Sequence, residues 1–294
     1  MGSKQNIAYS LMMAIAQKKP KAKYFFDIFG GGASMSLMAK QFGLKVFYTE
    51  KNAGIVNLLN FLKENRIPKE WIKWIDREDF KRCVGKDDPY SVFVTVVWSF
   101  GNNRQAYLFG KEIEGLKKLA FEVIVNGDYK SLDELKKQTG LSLKMPTEQK
   151  LHDRRLNFHR QIQTAKGFHR GIECLINMQA LTQLECCSRL ASCERLQQLE
   201  YLQQLEYPNE EVIIYCDPPY RGTAEYTDSD FNHKEFDEWV KKLKYDVFIS
   251  EYNAPFEKIA SFGKMSLLNN SKEKKPLITE NLYFHKKEVK NENN

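Results

Sequence analysis

Residues 212–220 read Val-Ile-Ile-Tyr-Cys-Asp-Pro-Pro-Tyr, an apolar run that stops at a carboxylate, two prolines and a ring. A short apolar run without alternation is the pattern of a buried strand, and such strands belong to parallel sheets covered by helices. Neither Pro218 nor Pro219 can donate a backbone N–H and each holds φ near a fixed value, so the turn is stiff and its carbonyls are free to accept. Asp-Pro-Pro is also ordinary turn chemistry. Its place raises it above that, because ligands of open α/β sheets gather at the carboxyl ends of the strands.

The N-terminal region supplies a second such strand end. Lys23 to Phe29 is a short apolar run, followed by Gly30-Gly31-Gly32-Ala33 and by a small-residue segment, Ser34 to Gln41, with helical character. Strand, glycine turn and helix together let backbone approach a ligand closely and present helix N–H groups to it. A further strand, Lys45 to Thr49, ends at Glu50, roughly 20 residues past the turn, where an acid accepts from ribose hydroxyls. Nicotinamide dinucleotides and S-adenosylmethionine both carry that ribose. The pair points to a nucleoside-type cofactor; the plainer alternative is a tight helix-strand turn with a solvent-exposed glutamate at the strand end.

Composition narrows the setting. The 294 residues suffice for one large α/β domain with a smaller module, and 42% hydrophobic content supports a sizeable core. No apolar run approaches the ~20 residues of a membrane span and no signal peptide is evident, so a cytoplasmic protein without membrane contact is expected. The six cysteines form no C-x-x-C pair, which points away from zinc fingers and disulfide frameworks and gives no metal site. A formal charge of +7 suits a polyanionic partner.

Asp27-Ile28-Phe29-Gly30-Gly31-Gly32-Ala33 followed far downstream by Asp217-Pro218-Pro219-Tyr220 resembles the Dam-like family of adenine-specific DNA methyltransferases. Phe29 and Gly31 match that family's Phe-x-Gly-x-Gly motif, with Ala33 in place of its second glycine, and the Asp-Pro-Pro-Tyr motif matches fully. Gly2-Ser3-Lys4 resembles the family's N-terminal Gly-Gly/Ser-Lys segment. Ser99-Phe100-Gly101-Asn102-Asn103 resembles a Phe-Gly-Asn-Asn segment of phage and prophage members, and Phe248 to Tyr252 the strand after the catalytic one.

The resemblance implies a doubly wound, Rossmann-like sheet that binds S-adenosylmethionine, closed by an antiparallel hairpin, with an inserted, mainly helical target-recognition domain. Residues 1–90 and 208–294 would form the catalytic domain and 91–207 the recognition region, with a repetitive connector at 190–207. Cofactor contacts are expected from Lys4, Asp27, Phe29, Gly30, Gly31, Gly32, Glu50 and Asp217. Catalysis is expected from Asp217, Pro218, Pro219 and Tyr220. The partner is double-stranded DNA, whose target base must be flipped out to be reached; a partner restriction endonuclease leaves no mark in the sequence.

The chemistry fits those residue types. An adenine amino group is a poor nucleophile because its lone pair is delocalised into the ring. The Asp217 carboxylate and Pro218 carbonyl, aimed at its hydrogens, favour a pyramidal nitrogen, and Tyr220 offers a stacking platform. Cytosine N4 methylation uses the same chemistry, although Ser-Pro-Pro-Tyr is commoner there. A catalytically silent DNA-binding relative and a nicotinamide-dependent oxidoreductase are alternatives from other classes.

Between about Ser91 and Glu210 the strand-helix alternation lapses. Val92 to Val97 reads as a strand or as a buried helix. Lys150 to Arg170 interleaves basic residues with amides and rings, so Arg154, Arg155, Arg160 and Arg170, with Asn102, Asn103 and Arg104, are the DNA-contact candidates; for any single arginine a solvated helix face is the plainer reading. Leu196 to Tyr207 is a tandem Leu-Gln-Gln-Leu-Glu-Tyr repeat, read as a connector. At the C-terminal end, Phe231 to Leu243 has helical spacing, Asp246 to Ser250 reads as a strand, and Lys264–Leu268 and Asn281–His285 as a closing hairpin.

Overall fold

In a computed structural model of the chain, residues 4, 6–100, 103–161, 187–192, 202–221, 231–265 and 277–287 are described. Their helices are α1 (Ala8–Lys18), α2 (Ser34–Gln41), α3 (Ala53–Glu64), α4 (Arg77–Cys83), α5 (Pro89–Val97), α6 (Lys111–Phe121), α7 (Tyr129–Thr139), α8 (Leu151–Gln161) and α9 (His233–Lys241). The strands are β1 (Tyr24–Asp27), β2 (Lys45–Glu50), β3 (Cys187–Ser192), β4 (Val212–Cys216), β5 (Val247–Glu251), β6 (Glu257–Met265) and β7 (Leu277–His285). The chain divides into two compact units, residues 1–56 with 184–294, and residues 57–183. No helix among the described residues is long and apolar enough to cross a membrane.

The first unit is α/β, compatible with a Rossmann-like fold. Its sheet runs β3-β2-β1-β4-β5-β7-β6. The first five strands are parallel neighbours, and β7 enters antiparallel between β5 and β6. All five residues of β4 and of β5 are buried, which is why both read as apolar without alternation. On one face, Phe26, Ile214, Ile249 and Tyr283 pack with Phe236, Trp239, Val240 and Leu243. The spacing 236, 239, 240, 243 gives α9 and its exit one apolar stripe, and Asn232 caps its start by accepting from the Glu235 amide. On the opposite face Phe248 meets Phe284 at 5.0 Å, and Lys18 of α1 lies 4.8 Å from the Phe284 ring. Helices therefore cover both sides.

The hairpin is longer than expected, and differently paired. Asn281 to Tyr283 bond to β5 on one side and to Lys258–Ser261 on the other, while Lys264 and Met265 face Ile278 and Leu277; residues 266–268 lie outside the described ones. The edge strand β3, parallel to β2, was not expected. It lies inside the stretch assigned to the recognition region. Of the tandem repeat, residues 196–201 lie outside the described residues, and Leu202 is buried in the α9-side core.

The second unit is helical. Val92 to Val97 belongs to α5, started by Pro89 and by the Asp88 carboxylate accepting from Ser91 N–H at 3.0 Å. Asp76 and Asp128 cap α4 and α7 in the same way. Trp74 packs against Trp98, Phe109 and Phe121, and Trp71 against Phe61 and Phe93.

Candidate active site

Carboxylates gather at the carboxyl edge of the sheet. Asp27 ends β1, Glu50 ends β2, Asp217 follows β4 and Glu251 ends β5, while antiparallel β7 brings Glu280 to the same edge, next to Asn281, the partner of Glu251. The glycine turn lies between the first two strands. Gly30 N–H donates to the Thr49 carbonyl and Gly31 N–H to Glu50 Oε2, each at 2.9 Å. Glu50 Oε1 accepts from Asn52 N–H, so this acid ties the turn to β2.

The three glycines differ in what they require. A Cβ at Gly30 would stand 2.0 Å from the Tyr48 ring, whose hydroxyl donates to the Gly31 carbonyl at 2.7 Å. Gly31 has φ 48, a conformation that favours glycine. A Cβ at Gly32 would meet nothing within 4 Å. Ala33, where the family pattern has glycine, is buried and left-handed at φ 59, just before α2. The second glycine of the motif is thus missing at a position whose backbone suits one.

Asp27 is buried and accepts a 2.6 Å hydrogen bond from Ser36 of α2. Burial pushes its carboxyl up to about 7, with the Asp217 charge adding to the rise and the Ser36 bond opposing it. Glu251 is held similarly, pushed up to about 7 by burial while it accepts from the Arg221 and Tyr252 N–H groups. It thereby fixes the chain on both sides of the site. Phe29 packs edge-on against Phe231 and Phe236, on the α9 face of the sheet.

Lys4 lies at the centre. Its ammonium meets Asp217 Oδ1 at 2.6 Å and Glu280 Oε1 at 3.1 Å, and donates to the Tyr220 hydroxyl. Burial works against that charge, but the Asp217 and Glu280 carboxylates outweigh it and hold the Lys4 pKa above the ordinary lysine value. The Tyr220 hydroxyl donates to Glu280 at 2.9 Å, and burial, reinforced by both carboxylates, pushes its ionisation far up. Tyr220 is only 8% exposed, with the Tyr252 ring 4.3 Å from its own. It is not an open platform in this state. Pro218 is buried and Pro219 half-buried, holding the turn between Asp217 and Tyr220. Among the described residues no three His, Cys, Asp or Glu side chains converge as metal ligands.

Sequence signals for Tyr48, Glu251 and Glu280 are faint. Glu251 follows an apolar strand as Glu50 does, and Glu280 is a lone acid between Ile278 and Leu282. Neither pattern says that the two acids share one edge.

Several of the DNA-contact candidates bond within their own unit. Asn103 accepts from the Gln105 and Ala106 N–H groups, closing a turn. Arg104, at φ 61, donates to the Thr95 hydroxyl and the Lys86 carbonyl. Arg154 donates to the Val125 carbonyl, and Arg155 is buried. Arg160 is exposed. Asn102 and Arg170 lie outside the described residues. Compared with known proteins, the chain matches no protein-family model and no curated protein.

Proposed function

We propose that this chain is a site-specific DNA adenine methyltransferase, which moves a methyl group from S-adenosylmethionine to the N6 amino group of an adenine flipped out of double-stranded DNA. One observation carries the reading: the Asp217-to-Tyr220 turn stands at the same sheet edge as Asp27, the glycine turn and Glu50, and its Asp217 carboxylate already holds an amine-type donor, the Lys4 ammonium, at 2.6 Å. The strand order, with β7 antiparallel between β5 and β6, agrees with the closing hairpin that the family resemblance implies.

The site suits the donor in charge and shape. S-adenosylmethionine supplies an activated methyl group on a cationic sulfur, and an edge carrying five carboxyl groups against one buried lysine favours a cation. The tied-back turn leaves Gly32 with open space on its Cβ side, so backbone can approach a bound molecule there. Glu50, half-buried, keeps lone pairs beyond those used by Gly31 and Asn52 for ribose hydroxyls.

On this reading Asp217 and the Pro218 carbonyl accept from the two amino hydrogens and aim the nitrogen lone pair at the methyl carbon. When bound, S-adenosylmethionine would supply the methyl group and depart as S-adenosylhomocysteine, and the surplus proton on the nitrogen would pass to water. Tyr220 takes the base on its ring once Tyr252 draws back from its face. The second unit, with its helices and Arg160, is the proposed target-recognition module.

The test is direct. Labelled S-adenosylmethionine and unmodified DNA are incubated with the protein, the DNA is digested to nucleosides, and the product is identified. N6-methyladenosine from the parent and none from Asp217→Ala is the expected outcome. Methylcytosine alone, no labelled nucleoside, or an Asp217→Ala variant as active as the parent overturns it.

A further inference from the structure

We propose that Glu280 is a positioning residue that keeps the Lys4 ammonium and the Tyr220 hydroxyl in place while Asp217 exchanges Lys4 for the acceptor amine. The inference rests on the methyl-transfer reading above.

An ammonium has three donors, and those of Lys4 have three acceptors in Asp217, Tyr220 and Glu280. The two carboxylates are not equivalent. The Asp217 side chain is 20% exposed, whereas Glu280 is 1% and Lys4 3% exposed. An incoming amine therefore reaches Asp217 and competes with Lys4 for it. Two carboxylates facing one ammonium leave one negative charge over, and that surplus belongs to the exposed partner. The buried Lys4–Glu280 pair balances itself.

This division makes the exchange cheap. A buried lysine stripped of its only carboxylate would be an uncompensated charge, and that is costly. With Glu280 present, Lys4 gives up one contact of three and keeps its counter-ion. Glu280 also accepts from the Tyr220 hydroxyl through either oxygen at 2.9 Å, so the ring stays anchored while its face is uncovered. Glu280 touches neither reacting atom in this scheme. It acts through Lys4 and Tyr220.

The experiment is a double-mutant cycle in the full chain with Glu280→Gln, Lys4→Met and their combination. Methyl-transfer kcat and KM for DNA are measured, with S-adenosylmethionine affinity followed by calorimetry in the absence of DNA. Glu280→Gln is expected to lower kcat about tenfold or more, with KM for DNA within about twofold and any fall in S-adenosylmethionine affinity smaller than the fall in kcat, and to lower kcat by less than about twofold once Lys4 is Met. Losses that multiply in the two backgrounds, or parent-like kcat in folded Glu280→Gln, overturn the inference and leave the methyltransferase reading standing. A parent that methylates no DNA overturns both. If Glu280→Gln fails to fold, Glu280→Asp keeps the charge but withdraws it by one methylene, and parent-like kcat in that variant likewise overturns the inference.

Discussion

Two buried lysines sit at opposite edges of the same sheet, and their surroundings differ in one respect. Lys19, after α1, meets Asp246 Oδ2 at 2.6 Å and donates to the Asn209 carbonyl at 2.7 Å. Asp246 in turn accepts from the Asn209 amide group and from Lys287 N–H, and gives its own N–H to Asn209 Oδ1. Burial would raise the Asp246 carboxyl, but these donors outweigh it and hold it below the usual range. One cation meets one anion, and the remaining lone pairs are filled. Lys4 instead faces two carboxylates, and neighbouring Asp27 and Glu251 have their carboxyls pushed up by burial. A saturated pair pins the ends of strands and helices together; an unbalanced cluster keeps electrostatic free energy for a ligand to release.

The largest effects should separate the two edges. Asp246→Ala strips a buried ammonium of its carboxylate and is expected to cost about 3 to 5 kcal/mol of unfolding free energy, read by denaturant titration, with methyl transfer per folded molecule intact. Asp217→Ala is expected to do the reverse, lowering methyl transfer by about 10²-fold or more with little loss of stability, because Lys4 keeps Glu280. Equal stability losses at both positions would erase the distinction.

Next come the glycines of the carboxyl edge. Gly30→Ala drives a methyl group into the Tyr48 ring and is expected to cost about 1 to 3 kcal/mol by thermal or chemical unfolding. Gly32→Ala has room and should leave stability within about 0.5 kcal/mol while weakening S-adenosylmethionine binding in calorimetry. Parent-like binding by Gly32→Ala would mean that no ligand approaches there.

The pH dependence follows from the raised carboxyls. Asp27 and Glu251 bind protons more tightly folded than unfolded, so their contribution is full below the unfolded carboxylate range and is lost as pH rises towards about 7. Asp27→Asn should flatten that fall, by about 3 kcal/mol between pH 4 and pH 7, while leaving the contribution of Asp246, whose lowered carboxyl acts in the opposite direction at acid pH. An unchanged pH profile in Asp27→Asn would contradict the shift. The smallest effect is expected at Ala33→Gly, which relieves a left-handed backbone and should add about 0.5 to 1 kcal/mol in unfolding experiments.

The local parts of the site were legible before any coordinates. The apolar run at 212–216, the strand ending in Glu50 and the helix at Ser34–Gln41 each follow from residues adjacent in the chain. Gly30 and Gly31 were legible as a close backbone approach, but not the Tyr48 ring that makes Gly30 obligatory. The arginines show the opposite case: composition marks Arg104 and Arg154 as DNA-contact candidates and is silent on the bonds the structure gives them, to Thr95, Lys86 and Val125. A side chain six atoms long reaches many partners, and composition does not say which.

By itself the sequence determined strand and helix periods, the stiffness of the Asp-Pro-Pro-Tyr turn and the acids that end strands, because these depend on neighbours in the chain. Only the tertiary structure decided that β7 runs antiparallel between β5 and β6, carrying Glu280 to within 2.9 Å of the Tyr220 hydroxyl across 60 positions of sequence. It also decided that Lys4 shares itself between Asp217 and Glu280. Charge balance in a buried cluster depends on which side chains burial brings together, and no local pattern encodes that.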